Sequence, residues 1–250
     1  MKALITGASS GIGEAISREL SCRGYHVILI ARREDLLLNV KNSLSGPCEI
    51  FSCDITLGDN AFRIFQKYPD IDLLVNCAGC GVFGEFTKTD IQRELDMISL
   101  NVASLHVLTK LYFKSFCQRN SGKILNVASS AAFFSGPFFS SYYASKAYVL
   151  HLSEALSYEC KGSGVCVSVF CPGPVKTEFG KKDGISDGRG AISPERAALA
   201  AINGVMKGKR IIFPDLKTQL LVFFSRFLPR EILLKIVKKE QMKKMKGKDL

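Results

Sequence analysis

The 250-residue sequence predicts an α/β fold, a doubly wound parallel sheet of about seven strands with helices on both faces. Three observations predict it. Short apolar runs alternate with helical periodicity along most of the chain, and a glycine-rich turn joins the first run to the first helix. The length suits one sizeable core without a second.

Lys2–Thr6 is the first strand and runs into TGASSGIG, with glycines at 7, 11 and 13. Ile12–Cys22 reads as a helix, with Ile16 and Leu20 one turn apart. A strand, a glycine turn and a helix in that order open a dinucleotide-binding unit. The turn brings backbone close to a pyrophosphate, which sits against free N–H groups at the helix N-terminus. His26–Ala31 is the second strand. A site for NAD would place an acidic residue at its end, but this chain has Ala31, Arg32 and Arg33. Two guanidiniums suit a 2′-phosphate, so NADP(H) is the expected cofactor.

Cys48–Cys53 is the third strand, ending at Asp54-Ile55, where a carboxylate could bond the adenine amino group. Ile71–Asn76 is the fourth, followed by Cys77-Ala78-Gly79. One long helix is expected from Thr89-Asp90 to about Cys117, with Asn101 in its middle, where an amide does little for the helix itself. Lys123–Ala128, the helix Ser141–Cys160 and the strand Val165–Cys171 follow. Pro172-Gly173-Pro174 ends that strand at its carboxyl end, where open α/β sheets bind ligands. Residues 178–193 read as a mobile loop over the site. Pro194–Met206 is a helix with Ser193 as N-cap, and Arg210–Phe213 is a last short strand.

The chemistry gathers between Ser129 and Lys146. Tyr142 and Lys146 are four apart, so a helix projects both from one face. An ammonium one turn away favours the phenolate and makes the tyrosine a better proton donor and acceptor. Ser129, thirteen residues upstream at the end of a strand, could bond a substrate oxygen.

With these residues together, the chain resembles the classical short-chain dehydrogenase/reductase family over residues 2–213. TGASSGIG is similar to the family's glycine motif, and Asn76-Cys77-Ala78-Gly79 to its Asn-Asn-Ala-Gly motif, with cysteine for the second asparagine. Asn101, Ser129, Tyr142 and Lys146 stand where the family keeps its catalytic tetrad. Tyr142, not Tyr143, has the lysine four residues on, and Ser129, not Ser130, keeps the thirteen-residue spacing.

The resemblance implies a single Rossmann-like domain and hydride transfer between a nicotinamide and a carbonyl or alcohol carbon. Tyr142 would be the acid–base, and Lys146 would lower its pKa and hold the nicotinamide ribose. Ser129 would orient the oxygen, and Asn101 would hold a water linking Lys146 to solvent. The implied cofactor contacts are Gly7, Ser9, Ser10, Gly11, Ile12, Gly13, Arg32, Arg33, Asp54, Ile55, Asn76, Ala78, Gly79, Tyr142, Lys146, Pro172, Gly173, Val175 and Thr177. A homodimer or homotetramer is implied as well. Cys77 removes an amide that would brace the central strands.

The remaining features bound the function. Nine scattered cysteines suit a reducing compartment, and Met1–Gly7 reaches glycine before a signal-like apolar core forms, so a cytoplasmic protein is expected. Cys77 and Cys80 have the spacing of a zinc half-site without a second pair nearby, so no metal is expected. From Lys207 to Leu250, thirteen basic residues face four acidic ones, a balance of +9 out of +11 for the chain. The body is therefore nearly neutral, and no nucleic-acid surface is expected on it. Residues 1–214 form the catalytic domain and 215–250 a basic amphipathic helical extension. Its apolar positions Ile232, Leu233, Ile236 and Val237 are expected to pack on the body or on a partner subunit, ahead of peripheral contact with a membrane. Phe133, Phe134, Phe138 and Phe139 suggest a pocket for a bulky, lipid-like carbonyl compound, shared with core packing. The alternatives to an enzyme are a non-catalytic NADP(H)-binding regulatory protein and a membrane-docked scaffold.

Overall fold

The strands β1 (Lys2–Thr6), β2 (His26–Ala31) and β3 (Cys48–Ser52) alternate with α1 (Gly11–Cys22) and α2 (Glu34–Asn42) in the computed structural model, which describes residues 1–179 and 190–246. α3 (Asn60–Lys67), β4 (Leu73–Asn76), α4 (Ile91–Ile98), α5 (Leu105–Gln118) and β5 (Gly122–Val127) follow. The rest is α6 (Ser140–Glu159), β6 (Val165–Phe170), α7 (Pro194–Met206), β7 (Ile211–Ile212), α8 (Leu216–Ser225) and α9 (Arg230–Lys246).

The sheet runs β3-β2-β1-β4-β5-β6-β7, and every pair is parallel. From β1 the chain winds outward to β3, then returns to β4 and winds the other way. The reversal leaves a crevice at the carboxyl ends of β1 and β4, where Thr6 stands opposite Asn76. Alternation along β1 shows how the sheet is covered. Ala3 and Ile5 face α1 and α7, packing with Ile16, Leu20, Ala201 and Ile202. Leu4 faces α3 and α5, packing with Ile64, Leu108, Tyr112 and Phe116. A parallel sheet must be covered on both faces, and this one is.

The expected long helix is interrupted. Ser99–Ser104 forms a π-helical turn between α4 and α5. Its wider backbone is tied by the Ser104 hydroxyl, which bonds Ser99 O at 2.8 Å and Ile55 O at 3.1 Å. α3 stands as a further helix between β3 and β4, its Ala61 and Ile64 buried at helical spacing. Strand ends move by one or two residues, as at β4, which starts at Leu73 rather than Ile71. Ser193 caps α7 as expected, accepting the Arg196 amide at 3.3 Å.

The tail folds back as α8 and α9. Val222, Val237 and Gln241 are buried, whereas Ile232 and Ile236, expected to pack beside Val237, stay exposed. Of the expected loop at 178–193, residues 180–189 lie outside the described residues. What is described of it pairs with the strand end: Val175 bridges Ile192, and Lys176 N donates to Ile192 O at 2.9 Å.

Candidate active site

The glycine turn after β1 is held by backbone. Gly7 has a φ of +68°, and a Cβ there would lie 2.8 Å from Ala78 Cα. A Cβ on Gly13 would lie 2.2 Å from Gly7 O, so the first turn of α1 closes directly onto the loop. The Thr6 hydroxyl fixes the opposite wall by accepting the amides of Cys77 and Ala78 at 3.0 and 3.1 Å. Ser10 stands at the N-cap of α1 without a side-chain capping bond, which leaves the first amides of the helix facing the crevice.

At the end of β2, both arginines are exposed. Arg33 Nη2 reaches Ser10 Oγ at 3.1 Å and Ser9 Oγ at 3.4 Å, bracing the glycine turn. Arg32 Nη1 lies 3.5 Å from Asp54 Oδ2. Burial pushes the Asp54 carboxyl up. Bonds from the Thr56 hydroxyl and amide, with Arg32 beside it, outweigh this and hold it below the usual range. Ile55 is buried, and its carbonyl accepts from Ser104.

Asn76 turns away from the crevice. Its Nδ2 donates to Thr109 Oγ1 at 3.0 Å and to Asn126 Oδ1 at 2.9 Å, and Asn126 Nδ2 continues to Ser153 Oγ at 3.0 Å. This buried ladder braces β4 and β5 against α5 and α6, the support expected to weaken with cysteine at position 77. Asn76 Oδ1 is buried and finds no partner among the described residues. Gly79 borders Asn101 and Lys146, since a Cβ on it would lie 3.1 Å from Asn101 Oδ1 and 3.3 Å from Lys146 Nζ.

The π turn aims Asn101 inward. Its Oδ1 accepts the Cys80 amide at 3.0 Å, and its Nδ2 donates to Cys80 O at 2.9 Å and Ser145 Oγ at 3.1 Å. The side chain thus pins the loop after β4 to α6. Lys146 is buried, and its Nζ donates to Val127 O at 3.0 Å while lying 5.8 Å from the centre of the Tyr142 ring. Burial pushes the ammonium down to about 8, opposed by the thiols of Cys77, Cys80 and Cys171.

Tyr142 is buried beside it, and here the electrostatics depart from the expectation. Burial pushes the phenol well above its ordinary value, with a bond from Ser129 pulling the other way, and Lys146 is not among the groups that lower it. The reason is shared burial, which penalises the phenolate and the ammonium alike. Ser129 Oγ also accepts the Ala131 amide at 3.1 Å and lies 3.4 Å from Pro172 O.

An aromatic wall faces the other side of Tyr142. Phe139 stacks on it at 4.3 Å between ring centres, and Phe179 lies at 5.5 Å. Phe138 adopts a φ of +65°, uncommon without glycine, and its carbonyl accepts the Gly84 amide at 2.9 Å. Phe134 packs on Tyr143, while Phe133 packs away on Phe213. The phenylalanines thus divide between site and core. The strand end Pro172–Phe179 spans both halves. Thr177 faces Gly11, Glu178 lies 3.8 Å from Arg33, and Phe179 meets Tyr142.

Several residues here carried no sequence signal. Glu94 is buried and bonds Thr89 and Ser141, anchoring the start of α6 just before Tyr142. Gln241 of α9 donates to the Tyr143 hydroxyl at 2.8 Å. Both partnerships join positions far apart in sequence, which periodicity cannot foresee.

The family model for short chain dehydrogenase matches residues 1–186. An uncharacterized oxidoreductase of Staphylococcus epidermidis is 33% identical over 180 residues, 70% of this chain and 78% of the relative. Human 17-beta-hydroxysteroid dehydrogenase type 3 is 32% identical over 187 residues, 72% of this chain and 60% of that protein. A short-chain dehydrogenase from Sphingobium yanoikuyae, solved in complex with NADPH, superposes with a TM-score of 0.80 at 28% identity, covering 86% of this chain and 88% of that one. The glycine cradle, the free amides of α1 and the exposed arginines fit a nicotinamide dinucleotide. Fold, site and relatives agree that this chain is an NAD(P)-dependent oxidoreductase of the short-chain dehydrogenase/reductase family.

Proposed function

We propose that the chain is an NADP(H)-dependent oxidoreductase acting on the carbonyl or alcohol carbon of an apolar substrate, with Tyr142 as proton donor and acceptor. The observation that carries this reading is the convergence of Tyr142, its bonded Ser129 and the buried Lys146 at the carboxyl ends of β5 and β6. When bound, the dinucleotide supplies the hydride. Arg32 and Arg33 would hold a 2′-phosphate, and the amides at the start of α1 the pyrophosphate. Lys146 would reach the nicotinamide ribose.

Ser129 bonds the substrate oxygen and orients it toward the Tyr142 hydroxyl. Burial keeps that hydroxyl protonated, which suits giving a proton to a carbonyl oxygen as it becomes an alcohol. Phe139 and Phe179 supply an apolar wall, in keeping with a relative named for hydroxysteroids.

The test is Tyr142→Phe. It should keep NADPH binding and lose about a thousandfold in kcat/KM toward apolar ketones. Turnover at the wild-type rate would sink the assignment, and tighter binding of NADH than of NADPH would overturn the reading of the arginines.

A further inference from the structure

α8 and the start of α9 carry an apolar surface that the described residues leave open. Phe223 is 50% exposed, Phe224 59% and Phe227 70%. Phe223 packs edge-on against the other two at 5.5 and 5.2 Å, so three rings form one cluster in water. On α9, Ile232 and Ile236 stand one turn apart and are about half exposed. A cluster of this kind marks a surface that something covers.

Its surroundings say what. From Asp215 to Lys243, seven basic residues accompany three acidic ones. Asp215 is already spent capping α8, accepting the Thr218 amide at 2.7 Å, and Glu240 pairs with Lys243. The face therefore presents phenyl rings among cations such as Lys217, Arg226, Arg230 and Lys235, which form no ion pair among the described residues. A second copy in a two-fold contact would set these cations against their own counterparts. A nucleic acid would leave the rings in water. An anionic bilayer satisfies both features, with acyl chains around the rings and headgroup phosphates on the lysines and arginines. No helix among the described residues is long and apolar enough to cross a membrane, so the pair would lie in the interface plane.

We infer that α8 and the start of α9 dock the protein onto an anionic lipid surface. The docking pair is also joined to the active site at both ends. A methyl group on Gly173 would lie 3.2 Å from Thr218 Oγ1 of α8, and Gln241 of α9 bonds Tyr143, next to Tyr142. Docking thus bears on the two helices that back Tyr143 and Gly173, which links the bilayer to the neighbourhood of the site. That last link rests on the proposed function, whereas the docking itself does not.

The experiment is co-sedimentation of the full chain, without substrate or cofactor, with vesicles of phosphatidylcholine alone or mixed with phosphatidylglycerol. Binding is expected on the anionic vesicles and should fall at high salt, when the Debye length shrinks to about 3 Å near 1 M. Replacing Phe223, Phe224 and Phe227 by Ser should weaken it by more than about tenfold. Lys235→Glu with Lys238→Glu should do the same, and both variants should keep the wild-type Tm and NADPH binding. Absence of binding to anionic vesicles, or undiminished binding by the folded Phe variant, overturns the proposal. So does concentration-dependent self-association that the Phe variant abolishes, which assigns the face to a second copy. Because binding is read without turnover, a failed Tyr142 assignment leaves this result standing.

Discussion

Around β1 and α1 the cleft is made of backbone, and around α6, α8 and α9 it is made of side chains. On the first side, Gly7, Gly13 and Ala78 approach each other within what a single added methyl would violate. On the second, Phe139, Phe179, Tyr143 and Gln241 enclose Tyr142 with rings and one amide. Backbone packing leaves no room to vary, so this half holds a ligand common to a large family. A wall of side chains can be rebuilt residue by residue, so under the proposed function that half is where substrate preference would be set.

Lys146 lies on the boundary and should show the largest effect after Tyr142. Lys146→Met is expected to lower kcat/KM by about a hundredfold or more. It should also stabilise the fold at pH 7, because the buried ammonium, held down to about 8, costs on the order of 3 kcal/mol. Between about 8 and the ordinary value of 10.5, the unfolded chain binds more protons than the folded one, so this cost fades as pH rises. Buried tyrosines and thiols pull the other way. The measurement is therefore the wild-type-minus-variant difference in denaturant stability, which should shrink across that window.

Gly13→Ala tests the backbone half. A Cβ 2.2 Å from Gly7 O forces the loop apart, so a loss of about 3 kcal/mol and of NADPH binding is expected in denaturant and fluorescence titrations. If the variant kept both, the contrast between the halves would fail. Arg32→Ala should raise the KM for NADPH about tenfold and leave that for NADH unchanged, as removal of a phosphate partner requires. The smallest effect belongs to the side-chain half. Gln241→Leu leaves the Tyr143 hydroxyl unpaired, at a cost of about 1 kcal/mol read as a lower Tm, and should change KM for bulky ketones more than kcat.

The same contrast explains what could be read in advance. β2, α7 and the glycine turn follow from local patterns, namely an unbroken apolar run, a Ser-Pro start and glycine spacing. The parallel sheet follows from strand–helix alternation, whereas the order of its strands, with the reversal after β3, is seen only in the fold. The π turn at Asn101 was not legible, because it depends on Ser104 finding Ile55 across the fold. Nor was the high-lying Tyr142, since spacing reports how near a lysine stands and not how deeply the pair is buried. Asn76 illustrates a further gap. Its motif says nothing of where its side chain goes, which is into the ladder with Thr109 and Asn126.

The strand end Pro172–Phe179 touches the glycine turn through Thr177 and the Tyr142 ring through Phe179. One short stretch of chain is thus a wall of both compartments. A ligand seated against Thr177 is expected to shift Phe179 as well, so that binding at one end changes affinity at the other by the same factor in both directions. Initial-rate patterns with a dead-end inhibitor for each ligand would reveal it.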